Sequence, residues 1–295
     1  MINFLKYRFV CLFISAALIF SVFGVFLYRL KTSGQAFNYS VDFQGGTQVL
    51  LKFEKPVKSS KILSALEEKG FPGASIRDFA DDEVMVRVKQ YDSDVKVLAD
   101  KIIGYIKSEV PDNSAKVLQI DAIGPGIGTE LRWQSIRTVV IALLLMLLYV
   151  AFRFWSLGFA LGSVAALFHD AIMVLGLFLL FNREISVNVI GAILAILGYS
   201  INDTIVIFSR IKNNMRSMNG SSITEIVNTS LNQTFKRTLL TSFSTLLVVG
   251  AMFFLGGEVL RDFSLALLVG IFFGTYSSIY VASPIIVMLH KEKNK

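Results

Sequence analysis

The sequence predicts a polytopic α-helical membrane protein with six transmembrane helices and a small α+β extracytoplasmic domain between helices 1 and 2. Three observations carry that prediction. Of 295 residues, 54% are hydrophobic, above the roughly 45–50% apolar share of ordinary soluble domains. Uncharged runs recur at lengths near the roughly 20 residues a helix needs to cross a bilayer core. One stretch, residues 31–132, interrupts them with short apolar segments and dense charge.

The first run covers residues 9–28, and the second covers 138–152, extendable back to 133 if Arg137 reaches the headgroups. The third, 155–181, contains one charge, Asp170, and the fourth, 185–209, contains one, Asp203. Residues 238–257 and 263–289 contain none. The first run follows Lys6 and Arg8, as a secretory signal does. It exceeds the 7–15 residues of a signal's apolar region, and no A-x-A-like site precedes Arg29, so it reads as a retained anchor. The implied boundaries are transmembrane helix 1 over residues 1–30, the outer domain over 31–132, and helices 2–6 over 133–295.

Charge separates the same regions. Of 29 Lys/Arg and 22 Asp/Glu, residues 31–132 hold 14 and 15, leaving 15 and 7 elsewhere. The basic excess thus belongs to the membrane part and reflects topology rather than nucleic-acid binding. With both termini in the cytoplasm, eleven Lys/Arg from Lys6 to Lys295 flank the inner surface and six, from Arg29 to Arg261, flank the outer one. That bias predicts N-in and C-in, with the domain outside and membrane lipid as an obligatory partner. Cys11 is the only cysteine and His169 and His290 the only histidines, which excludes an intrachain disulfide and disfavours a zinc site.

Within the outer domain, residues 38–43 and 47–53 read as extended segments joined at Gly45-Gly46, a tight-turn signal. Residues 57–69 have helical spacing in Ile62, Leu63 and Leu66 and close on Gly70. Residues 75–79 and 83–89 suggest a hairpin around Ala80-Asp81-Asp82, with Val84, Val86 and Val88 alternating. Residues 92–110 are again helical and 116–123 form a last strand. The order β-β-α-β-β-α-β predicts two helices on one face of a sheet. No catalytic constellation is present there. The glycine-rich residues 123–128 lack the Lys-Ser/Thr of a phosphate loop and read as a hinge into helix 2.

The membrane part carries the chemistry. In the third span Gly158, Gly162 and Ala166 recur every four positions and lead onto Asp170, so that Asp170 should face another helix. His169 and Asp170 together read either as a polar pair holding helices or as part of a pathway. In the fourth span Gly191, Ala195, Gly198 and Asn202 form a small, polar face beside Tyr199, Ser200, Asp203 and Thr204. A lone carboxylate in a membrane helix costs roughly 2.5–3.5 kcal/mol on insertion scales, and short Asp snorkels poorly, so Asp203 marks an ion or proton pathway. Arg210 follows it by seven residues, about 10 Å along a helix, which sets Asp203 toward the cytoplasmic side. Arg237, immediately before the fifth span, is the natural partner: a guanidinium pairs bidentately with a carboxylate. Its bland reading is positive-inside chemistry. A helix motion that makes and breaks the contact would release and load a proton. Gly270 and Gly274, continued by Ser278 and Ala282, form a packing face in the sixth span. Residues 210–236 are too polar to span. Ser222-x-x-Glu225 is a capping box, so a short cytoplasmic amphipathic helix is expected there.

Several motifs, in order along the whole chain, resemble those of the SecF family, the smaller subunits of SecDF protein-export complexes within the resistance-nodulation-division superfamily. They are Val41-Asp42-Phe43-Gln44-Gly45-Gly46, Ile123-Gly124-Pro125 with Gly128-Thr-Glu-Leu131, and Leu167-Phe-His-Asp-Ala171. Gly198-Tyr-Ser-Ile-Asn-Asp-Thr-Ile-Val206, Lys236-Arg-Thr238 and Gly274-Thr-Tyr-Ser-Ser278 complete the set. The resemblance implies a bacterial inner-membrane protein that associates with SecD and works with the SecYEG channel on preproteins. It implies no enzyme activity and no cofactor beyond the proton gradient, which drives late export. It further implies that Asp203 and Arg237 serve proton passage, that Asp42, Gly45 and Gly46 are structural, and that the outer domain is ferredoxin-like. Two other classes remain: a proton-coupled exporter of small hydrophobic molecules, and a non-conducting structural subunit of a translocon.

Overall fold

The computed structural model describes residues 1–78, 82–91, 94–111, 113–124 and 126–290. Contacts divide the chain into one unit of residues 1–38 and 137–295 and another of residues 39–136. A 3-10 turn, Phe4–Tyr7, leads into α1 (Arg8–Ser33), which closes on Gly34 in the left-handed region.

The second unit is α+β. A two-residue strand, β1 (Asn38–Tyr39), and a single helical turn, α2 (Val41–Gln44), precede β2 (Gly46–Phe53). Then come α3 (Ser59–Glu68), β3 (Ser75–Asp78), β4 (Glu83–Val88), α4 (Val95–Glu109) and β5 (Ala115–Ile123). The sheet is antiparallel in the order β3-β4-β2-β5, and the register pairs Val49 with both Val86 and Ile120. Its core follows from two periodicities. Val84, Val86 and Val88 point inward at period two, while Ile62, Ala65 and Leu66 on α3 and Leu98, Ala99, Ile102 and Ile106 on α4 recur at helical spacing to cover them. Asp94 caps α4, its carboxylate accepting the N–H groups of Lys96 and Val97 at 3.2 and 3.3 Å.

The start of this unit differs from the sequence reading. Residues 38–43 are not one extended segment, because Ser40 caps α2: its hydroxyl accepts the Asp42 N–H at 3.3 Å and donates to Asp42 Oδ2 at 3.0 Å. That local bonding wins over strand pairing. Gly45 and Gly46, at φ +77° and +111°, then turn the chain into β2. A Cβ on Gly46 would stand 2.5 Å from the Val88 carbonyl oxygen, so only glycine fits. The hairpin turn read at Ala80 and Asp81 lies outside the described residues, as does Pro125.

From β5 the chain enters α5 (Ile127–Phe154), followed by α6 (Leu157–Leu180) and a two-residue strand, β6 (Glu184–Ile185). After these come α7 (Val187–Ser217), α8 (Ile223–Leu255) and α9 (Gly257–Ser277), the last continuing through a π-helical turn, Ser278–Ala282, into α10 (Ser283–Leu289). Among the described residues six helices are long and apolar enough to cross a membrane: Phe4–Ser33, Ile127–Phe154, Leu157–Leu180, Val187–Ser217, Ile223–Leu255 and Leu260–Leu289. The third, fourth and sixth are half or more buried, whereas the first and second expose nearly all of their apolar windows.

Close packing of the inner helices rests on glycine. A Cβ on Gly270 would fall 2.2 Å from Ile196 Cδ1, and one on Gly162 would fall 2.9 Å from the Ala282 carbonyl oxygen. One on Gly158 would meet Leu289 at an ordinary 3.6 Å. The polar segment 210–236 is not a separate short helix. Its first part continues α7 and its last part opens α8, with the turn at residues 218–222 and Ser222 accepting the Glu225 N–H at 3.2 Å. The two extensions stay helical because they zip together: Asn214 donates to Ser230 and to Gln233, both at 2.8 Å, over buried Ile211, Val227 and Leu231.

Candidate functional site

The helical unit buries its polar side chains in two adjoining groups. The first centres on Asp170, fully buried on α6. Its Oδ2 accepts hydrogen bonds from Ser200 of α7 at 2.6 Å and Ser277 of α9 at 2.9 Å, and its Oδ1 lies 3.1 Å from His169 Nδ1. Gly274 makes room: a Cβ there would stand 3.1 Å from Ser200 and 3.5 Å from Asp170 Oδ2. His169 stacks on Tyr276 at a centroid distance of 5.8 Å, and the Tyr276 hydroxyl donates to the Cys11 carbonyl at 2.9 Å. Four helices thereby meet around one carboxylate. The small-residue stripe on α6 delivers Asp170 to that junction, as its spacing predicts.

Asp203 forms the second group. Ser200, Asp203 and Thr204 stand at i, i+3 and i+4 on one side of α7, so about one turn of that helix serves both carboxylates. Thr204 bonds Ser278 in the π-helical turn at 2.8 Å. Asp203 is 5% exposed and faces α8, where the Ser242 hydroxyl and the Arg237 guanidinium bear on its carboxylate electrostatically. Ser242 in turn bonds Thr275 of α9 at 2.7 Å, and Tyr199 accepts from Thr245 at 3.4 Å. The arrangement is incomplete. Among the described residues Asp203 Oδ2, Thr238 Oγ1 and His169 Nε2 are buried without a hydrogen-bond partner. An unpartnered buried carboxylate oxygen is costly.

The two carboxylates therefore differ. Asp170 has its hydrogen bonds fixed by neighbouring helices, while Asp203 keeps an oxygen open. The structure brings Tyr199, Ser200 and Thr204 into the polar interior with them. It does not bring Asn202, which is exposed, nor Gly191 and Gly198, around which nothing in this chain lies within 4 Å of an added Cβ. Ser277, Tyr276 and the π-helical turn were not singled out by periodicity. Their signal is the Ser277-Ser278 pair beside the Gly270/Gly274 face, where a π turn frees a carbonyl that Ser283 fills, donating to the Ser278 oxygen at 2.8 Å. Asp42, Gly45 and Gly46 belong to the second unit, where the glycine turn packs on α5: a Cβ on Gly128 would be 2.9 Å from the Gly45 nitrogen. Among the described residues no group of His, Cys, Asp and Glu could hold a metal ion.

Six apolar helices among the described residues, with two buried carboxylates on α6 and α7, define a multi-pass membrane protein. The family described as "Protein export membrane protein SecD/SecF, C-terminal" matches residues 105–292, and the "SecD/SecF GG Motif" matches residues 33–57, which hold Asp42, Gly45 and Gly46. The chain is 42% identical over 281 residues to the protein translocase subunit SecF of Vibrio alginolyticus, covering 94% of this chain and 88% of that one. It is 43% identical over 266 residues to the protein translocase subunit SecDF of Thermus thermophilus, covering 86% and 34% respectively. Against the crystal structure of SecDF, a translocon-associated membrane protein from Thermus thermophilus, the TM-score is 0.86 at 39% identity over 97% of this chain. This chain spans 38% of that one. The chain belongs to the SecF family of the SecD/SecF protein-export membrane proteins.

Proposed function

We propose that this chain is an accessory subunit of a Sec preprotein translocase and uses the proton-motive force to assist late protein export across a bacterial cytoplasmic membrane. The observation that carries the reading is the unpartnered, buried Oδ2 of Asp203 at the α7–α8 contact, within the electrostatic reach of Arg237. A nearby guanidinium favours the charged carboxylate, and its withdrawal in a desolvated site favours the protonated one. Relative motion of α7 and α8 would therefore take up a proton and release it. Ser200, Thr204, Tyr199 and Ser242 supply hydroxyls along the route, and Asp170 with His169 holds the helices in register. No cofactor beyond the proton gradient enters.

In this reading both termini are cytoplasmic, as the lysine and arginine bias favours. The α+β unit is extracytoplasmic and ferredoxin-like, in keeping with its β2-α3-β3-β4-α4-β5 order. SecD supplies the other half of the proton site. It packs on the exposed Gly191, Ala195, Gly198 and Asn202 stripe of α7, where small residues permit close helix approach. SecYEG and the preprotein are the working partners. The test is gradient-driven export in vesicles containing the SecD–SecF complex and SecYEG. Asp203→Asn should abolish the gradient-dependent fraction while leaving complex assembly intact. Retained stimulation by the assembled variant would instead favour a structural subunit.

A further inference from the structure

Where α7 and α8 leave their apolar stretches, they enclose an open cavity of about 520 Å³ lined by Ile205, Val206, Ser209, Arg210, Asn213, Gln233, Thr234 and Arg237. Two guanidinium groups and four neutral hydrogen-bonding side chains face it, and no carboxylate lines it. Arg210 is held in place, its Nε donating to Gln233 Oε1 at 2.6 Å, and Gln233 is fixed from the other side by Asn214 at 2.8 Å. That bond uses only one edge of the Arg210 fork. Among the described residues its Nη groups and the whole Arg237 guanidinium make no hydrogen bond. The cavity also has a defined depth. The uncharged run of the fourth span ends at Ser209 and that of the fifth begins at Thr238, so the two arginines stand where a bilayer's phosphates lie. Ile205 and Val206 form the wall that continues into the apolar layer.

We infer that this cavity binds a phosphate group, with Arg210 and Arg237 as its cationic partners and Ser209 and Asn213 as auxiliary donors. Paired guanidinium forks match phosphate oxygens in geometry and charge. The apolar wall favours a phosphate carried on an anionic phospholipid over free phosphate. Arg237 also bears on Asp203, so occupancy would draw that guanidinium toward the surface. This consequence, unlike the binding, rests on the proton reading above.

Native mass spectrometry of the full chain in non-ionic detergent tests the binding. The probes are phosphatidylglycerol, phosphatidylcholine and inorganic phosphate. Phosphatidylglycerol should be retained about tenfold more than phosphatidylcholine, a difference of about 1.4 kcal/mol. Arg210→Gln should abolish the preference. Asn213→Asp, an exposed change that adds a negative charge without removing a cation, should abolish it too. Thermal unfolding of both variants should match that of the unsubstituted chain. Competition by millimolar inorganic phosphate with no lipid preference would assign the cavity to a free anion. Equal retention of both lipids without phosphate competition, or a preference untouched by both substitutions, would overturn the proposal.

Discussion

The two units of this chain bury opposite chemistries. In residues 39–136, Val49, Leu51, Ile62, Leu66, Val86 and Ile102 are almost wholly inaccessible, and the charges stand outside, as with Lys52 beside Glu83 and Asp82. In the helical unit Asp170, Ser200, Asp203, Thr204, Ser277 and Ser278 lie inside, while Leu144, Leu145, Leu148, Val248 and Phe254 face outward. Water outside accounts for the first pattern and lipid outside for the second. Burial of apolar side chains stabilises the α+β unit, whereas buried polar groups in a membrane bundle are costly.

The largest effect expected from this comparison is in the α+β core. Ile102→Ala removes a fully buried side chain and should cost about 2–5 kcal/mol. Hydrogen exchange should show the loss in β2, β4 and α4 but not in α6 or α7. Next comes Asp170→Ala, which strands the hydroxyl of Ser200 at about 1–3 kcal/mol for a buried group left unpartnered, whereas Ser277 keeps the Gly274 carbonyl as acceptor at 3.2 Å. Thermal unfolding in detergent should fall, with the exchange pattern of the α+β unit unchanged. Gly270→Ala, forced against Ile196, should cost about 1–3 kcal/mol by overpacking, whereas Gly198→Ala, with nothing within 4 Å, should leave the isolated chain's unfolding temperature unaltered. A loss at Gly198 as large as that at Gly270 would contradict the packing described. The smallest effect belongs to Lys52, raised above its ordinary 10.5 by hydrogen bonds to Glu83 and Asp82. A raised ammonium contributes stability that is complete below pH 10.5 and is lost as pH climbs through the higher folded value. A slight, salt-sensitive destabilisation of the α+β unit at strongly alkaline pH should therefore vanish in Lys52→Met.

Much of this was legible in the sequence because the solvents differ. Runs such as 9–28 and 263–289 mark spans by length alone, and Asp170 and Asp203 stand out as the lone charges of theirs. The stripe Gly158-Gly162-Ala166 leads onto Asp170, which is buried against α7 and α9. Less was legible where a local hydrogen bond overrides pattern. Ser40 makes a helical turn of a segment that reads as strand, and the polar 210–236 stretch stays continuous with its spans because Asn214 and Gln233 bridge two helices. Periodicity also could not separate the two carboxylates. Asp170 meets Ser200 and Ser277 only because Gly270 and Gly274 let α9 approach, a tertiary fact with no one-dimensional trace. The π-helical turn at Ser278–Ala282, which sets the hydroxyl that Thr204 meets, is likewise invisible in composition.

In the proposed function Asp203 carries the proton while Asp170 holds the helices. Proton flux into vesicles containing the chain with a SecD subunit, measured after an imposed membrane potential, tests this directly. Asp203→Asn should abolish the flux and leave the unfolding temperature within a degree or two of the original. Flux unchanged in an assembled, equally stable Asp203→Asn complex would contradict it.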